Sequence, residues 1–136
     1  MEAATTTTRP QAKEGALVHF EIPATDPAKV SRFYEQLLGW KFSKWQGGAM
    51  DYWLISHKDA SENDTIGGLF KRDPQQHQQF LNYFNVKSID QSLANATGLG
   101  AKIVTAKQEI PNMGYFAVLQ DPDNNTFALF QSAGRM

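Results

Sequence analysis

The chain has 136 residues, 13 Lys and Arg against 14 Asp and Glu for a formal charge of −1, and no cysteine. That length suits one domain, or two half-domains sharing a core, and can bury about 68% of its unfolded surface without a covalent staple. The missing cysteine excludes disulfides, thiolate metal sites and a cysteine nucleophile. The scattered basic residues exclude the stripe a nucleic acid or anionic membrane would need, and no apolar run nears the ~20 residues of a bilayer span.

Residues 1–14, with an early acid at Glu2 and a threonine run at Thr5–Thr8, lack an apolar targeting region. They read as a flexible polar tail on a cytoplasmic protein whose single domain covers 15–136. Leu17–Ile22 alternates, with Val18, Phe20 and Ile22 on one face and Leu17, His19 and Glu21 on the other, as a strand does. Asp26 then caps a helix with Pro27 at its first position. Val30, Phe33, Tyr34, Leu37 and Leu38 recur at helical spacing and are expected in the core, and Gly39 ends the element.

Trp40–Trp45 reads as a second strand, Gly47-Gly48 as a turn, Asp51–Ser56 as a third strand and Thr65–Lys71 as a fourth. Polar, Gln-rich 71–79 is expected to link two halves. Phe80–Val86 is the next strand. Ser88 caps a shorter helix carrying Ile89, Leu93 and Ala96, stopped by Gly98 and Gly100. Ala101–Thr105 is a strand, the segment to Pro111-Asn112 a loop, and Gly114–Gln131 a hairpin turning at Asp121-Pro122-Asp123-Asn124-Asn125.

Each half therefore reads β-α-β-β-β, module one over about 16–72 and module two over about 79–132. Three stretches match between them: Leu38–Phe42 with Leu99–Ile103, Tyr52–Ile55 with Tyr115–Val118, and Gly67–Phe70 with Phe127–Phe130. The repeat, near sixty residues, marks an internal duplication. The expected class is α+β, two tandem βαβββ modules forming one curved mixed sheet, a cup, with a helix packed behind each half.

Val18–Pro23 leading into Asp26-Pro27, then Arg32-Phe33-Tyr34 and Leu38-Gly39-Trp40, and Gln120–Asn125 before the last strand, together resemble the vicinal oxygen chelate superfamily. That superfamily holds glyoxalase I, bleomycin-resistance proteins and extradiol dioxygenases, and the resemblance spans roughly residues 16–132. It implies a homodimer, and in metal-using members one ligand on the first and fourth strand of each module. Those positions fall here on His19, Gly68, Leu81 and Ala128, so one ligand of four survives. Three protein ligands are the usual minimum for a catalytic ion. No metal or other cofactor is therefore expected. His57 and His77 are the other histidines, and His77 could serve only if the register slipped.

His19 and Glu21, with Cα atoms ~6.6 Å apart along one strand, are the candidate catalytic pair. Tyr52, Trp53, Gly68, Tyr83, Asn85, Tyr115, Thr126, Ala128 and Phe130 are the candidate ligand-binding residues. Which of Tyr52 and Trp53 points into the cup stays open, and core or dimer packing is the competing role for each aromatic. The small residues at 67, 68 and 128 are expected to leave room where a metal and its carboxylates would sit. Trp40 and Trp45 are expected at a subunit interface or capping the sheet. The leading functional expectation is a small, partly apolar organic ligand in the cup. The alternatives are a metal-free acid–base enzyme using His19 and Glu21, a lyase, isomerase or dioxygenase holding a divalent metal through a ligand set not recognised here, and an interaction module.

Overall fold

A computed structural model describes residues 12–46, 51–59, 64–75 and 78–133. The Gly47-Gly48 turn, His77 and the Thr5–Thr8 run lie outside the described residues. The chain divides into two compact units, one from His19 to Phe80 and one joining the described residues through Val18 to those from Leu81 onward.

In the unit from His19, the strands are β1 (Leu17–Ala24, whose first two residues fall to the other unit), β2 (Lys41–Lys44), β3 (Tyr52–Ser56) and β4 (Thr65–Lys71), with helix α1 (Pro27–Leu38) after β1. Their order is β2-β3-β4-β1; β4 runs parallel to β1 and antiparallel to β3. The other unit repeats the plan with β5 (Leu81–Asn85), α2 (Ile89–Gly98), β6 (Lys102–Ile110), β7 (Gly114–Gln120) and β8 (Thr126–Ser132). Its order is β6-β7-β8-β5, with β8 parallel to β5. Two βαβββ modules of an α+β fold are thus present, with identical strand order.

Local chemistry explains the element ends. The Asp26 carboxylate accepts the Lys29 N–H (3.2 Å), and Gly39, at φ 75°, closes α1 in the left-handed conformation that costs glycine least. Ser88 accepts the Gln91 N–H (3.1 Å) to start α2. In the hairpin turn, Asp121 Oδ1 accepts the N–H groups of Asp123 and Asn125 (2.8 and 3.0 Å), and Asn124 takes φ 67°. Asp121 is partly exposed. The Asn125 side-chain amide, then the Asn125 backbone N–H and, least, that of Asp123, hold its carboxyl below the ordinary range against the opposing effect of desolvation.

One core joins Ile22, Ala24, Ile55 and Leu69 to Val30 and Tyr34 of α1 and to Trp40 and Trp53. Ile55 and Leu69 are fully buried, each worth about 1.5–3 kcal/mol. The other core joins Val86, Ile89, Ala117, Leu119 and Leu129 to Leu93 and Ala96 of α2.

Several expectations are corrected. Phe33, Leu37 and Leu38 are not core: they are 56%, 64% and 51% exposed, because the sheet takes only Val30 and Tyr34 from the broad apolar face of α1. The strand after α2 runs on through Ile110 where a loop was expected, carrying register irregularities between Ile103 and Gln108. The linker is tied down at its start, since the Arg72 N–H bonds the Ala24 carbonyl (2.8 Å) and its guanidinium reaches the carbonyls of Pro23 and Gln78.

Candidate functional site

Strand alternation and register bring the first site together. Parallel pairing sets Glu21 beside Gly68, and antiparallel pairing sets Gly68 beside Leu54, so one face of this sheet collects His19, Glu21, Gly68, Leu54 and Tyr52. The Tyr52 hydroxyl donates to Glu21 Oε2 at 2.8 Å and lies 2.9 Å from His19 Nε2. A phenol has one proton, spent on Glu21, so the hydrogen in the His19 contact is carried by Nε2. The result is a directed chain from imidazole N–H to phenol to carboxylate. All three residues are half-buried.

Gly68 is what admits the phenol. A Cβ at position 68 would overlap the Tyr52 hydroxyl and ring carbons. The expectation of open room there is corrected: the space is filled by the tyrosine. Beside Tyr52 stands Trp45, its ring edge-on at 5.7 Å and 70°, its backbone N–H bonded to the Tyr52 carbonyl at 2.8 Å. Trp45 was assigned to an interface or a sheet cap; the structure sets it against the His19–Tyr52–Glu21 chain. The sequence reading places Trp45 at the end of its second strand, and the pairing with β3 is what reveals its face.

Trp53 turns the other way. Its ring packs in the α1-side core with Lys44 Nζ 4.9 Å from its centroid, so Tyr52 and not Trp53 shares a face with His19.

The same register defines the second module. Tyr83 pairs with Ala128 and Ala128 with Val118, as Glu21 does with Gly68 and Gly68 with Leu54. Leu81, Tyr83, Phe116 and Ala128 therefore occupy the positions that His19, Glu21, Tyr52 and Gly68 hold in the first. Matching Tyr52 to Tyr115 by residue type is corrected by one position. Here the slot is closed: Tyr83, Val118 and Ala128 are buried together with Leu81, Phe116 and Phe130 against them. Ala128 is 0% exposed, so no open space lies over it.

Tyr115 lies on the α2 side, under Lys107, whose Nζ is 4.6 Å from its ring and 3.2 Å from Asp90 Oδ2 on the helix. Tyr115 and Asn85 both line a separate groove of about 650 Å³ with Lys87, Glu109 and Gln131. The Asn85 amide is engaged by the carbonyls of Ala12 and Lys13 at 3.0 and 3.2 Å. Thr126 is exposed and meets Gln120 Nε2 at 3.5 Å.

The four positions that metal-using relatives would fill with ligands thus hold one imidazole, a glycine covered by a phenol, a leucine and a buried alanine. Among the described residues no three His, Asp or Glu side chains cluster closely enough to hold an ion.

The family model of the Glyoxalase-like domain matches residues 18–130. The chain belongs to this family, within the vicinal oxygen chelate superfamily. Among curated relatives of this glyoxalase-like chain, the putative glyoxylase CFP32 of Mycobacterium tuberculosis is 28% identical over 121 residues, 88% of this chain and 45% of that protein. The chain therefore spans just under half of that relative's length. A glyoxylase-like domain-containing protein of Didymella fabae is 24% identical, covering 89% of this chain and 97% of that one. Among solved structures, hypothetical protein BH1468 of Bacillus halodurans superposes with TM-score 0.66 at 14% identity over 91% of this chain and 99% of that one. A variant of Streptomyces coelicolor methylmalonyl-CoA epimerase, in complex with 2-nitronate-propionyl-CoA, gives 0.62 at 14% over 90% and 100%. At such identities the structures share the fold.

Proposed function

We propose that this glyoxalase-like protein binds a small, partly apolar organic molecule on the His19–Tyr52–Glu21 face, through hydrogen bonds instead of a metal centre. One observation carries the reading: the Tyr52 phenol occupies the space over Gly68 that a fourth-strand carboxylate would need, and bonds to both His19 and Glu21. A neutral hydroxyl joined to an imidazole and a carboxylate suits a ligand oxygen or nitrogen, and Trp45 adds apolar area beside it. The test is a thermal-shift and native mass spectrometry screen against small metabolites, with elemental analysis of protein purified without a histidine tag. Compounds that stabilise the wild type but not a His19→Ala variant, with no stoichiometric metal, are expected. A bound divalent ion, or stabilisation unchanged in His19→Ala, would overturn the reading.

The hydrogen-bond chain itself supports a second reading, that of an acid–base enzyme. An imidazole linked through a phenol to a carboxylate can take a proton at one end while the chain redistributes hydrogen bonds. Turnover of a bound carbonyl compound that disappears in both Tyr52→Phe and His19→Ala would distinguish this from binding alone.

A further inference from the structure

We infer that Trp45 is the specificity-determining wall of this site, and that it selects planar, conjugated ligands carrying one hydrogen-bonding oxygen. The inference deepens the proposed function and rests on the reading that a small molecule occupies the Tyr52 face.

The chain has three tryptophans. Trp40 stacks on Tyr34 at 5.2 Å and 22° and packs into the α1-side core, as Trp53 does. Trp45 alone of the three contacts Tyr52, and it is half-buried. Its neighbours on this face extend the apolar area: Tyr52 pairs directly with Phe70 across β3 and β4, and cross-strand partners share a face. Trp45 and Phe70 therefore lie beside the hydrogen-bonded group of His19 and Glu21 bridged by the Tyr52 hydroxyl.

A flat aromatic surface rewards a flat ligand, because stacked and edge-on ring contacts add to plain area burial. The polar chain beside it rewards one oxygen at the ligand edge. The second module supplies the contrast. Gln108 stands opposite Phe116 there, where Trp45 stands opposite Tyr52, and Leu81, Tyr83 and Ala128 hold the positions of His19, Glu21 and Gly68. In the first module the aromatic wall and the His19–Tyr52–Glu21 chain stand side by side.

The probes are 2-naphthol and its saturated counterpart decahydro-2-naphthol, which share size and hydroxyl but differ in planarity. In a ¹H–¹⁵N spectrum the three indole N–H signals report separately. Titration with 2-naphthol is expected to move the Trp45 signal and leave those of Trp40 and Trp53. By calorimetry, Trp45→Leu should weaken 2-naphthol binding about tenfold and the saturated alcohol clearly less, while Trp45→Phe restores part of the loss. Circular dichroism of both variants checks that the fold is kept.

If 2-naphthol binds Trp45→Leu as tightly as wild type, or the two alcohols bind equally, the inference fails. The binding face survives that result provided His19→Ala still weakens both. If neither alcohol binds the wild-type chain, the inference fails again, and the metabolite screen decides the binding face independently.

Discussion

The Tyr52 hydroxyl and the α-hydrogen side of Gly68 share one slot, so that a side chain at 68 and the phenol at 52 exclude each other. Gly68→Ala should therefore cost about 1–3 kcal/mol, the usual range for overpacking. In a Tyr52→Ala background the same substitution should be nearly neutral. A double-mutant cycle by urea denaturation measures the difference, and additive costs would refute the shared slot.

Tyr52→Phe keeps the ring against Trp45 and deletes the hydroxyl between His19 and Glu21. Removing one hydrogen bond from each of two half-buried polar groups should cost about 1–3 kcal/mol of stability. Thermal denaturation checks this; an unchanged midpoint would mean that water replaces the hydroxyl at no cost.

Ala128→Glu tests the second module. The residue is fully enclosed by Tyr83, Val118, Leu81, Phe116 and Phe130, so an unpaired carboxylate there should cost on the order of 3 kcal/mol or more. The substitution should also fail to confer metal binding, read by elemental analysis, since the matching slot in the first module still holds Tyr52.

Asp121 gives a pH dependence of known sign. Its carboxyl is depressed, chiefly by the Asn125 side chain, so its contribution is complete above the ordinary carboxylate range and is lost as pH falls through the lowered folded value. Stability measured across an acid titration by circular dichroism should show Asp121→Asn costing most at neutral pH and little at low pH, which flattens the low-pH limb. A limb identical to wild type would contradict the assignment.

On α1, Phe33→Ala should cost clearly less than Tyr34→Ala, even though both are aromatic and adjacent. Tyr34 stacks on Trp40 within the core, and Phe33 is more than half exposed. Equal losses in chemical denaturation would show that Phe33 is covered in solution.

Much of this fold was legible in the sequence because its signals are local. Asp26-Pro27, Gly39, Ser88 and the Asp121–Asn125 turn each satisfy or redirect the backbone within a few residues. His19 and Glu21 were legible for the same reason, through alternation along one strand. What escaped depends on register between strands. Tyr115 resembles Tyr52 in type, yet the partners of Gly68 and Ala128 show the true equivalent to be Phe116. Phe33 and Leu37 fit the helical apolar period, but periodicity cannot say how wide a strip the sheet will cover. The filling of the Gly68 slot was hidden because a glycine in sequence announces only missing atoms, and here a neighbouring strand supplies them.

The repeated strand order gives this protein an internal control. One backbone arrangement occurs twice in a single polypeptide, once dressed with His19, Glu21, Tyr52 and Gly68 and once with Leu81, Tyr83, Phe116 and Ala128. Transplanting four side chains from the first set to the second would ask whether recognition resides in those groups or in the scaffold around them.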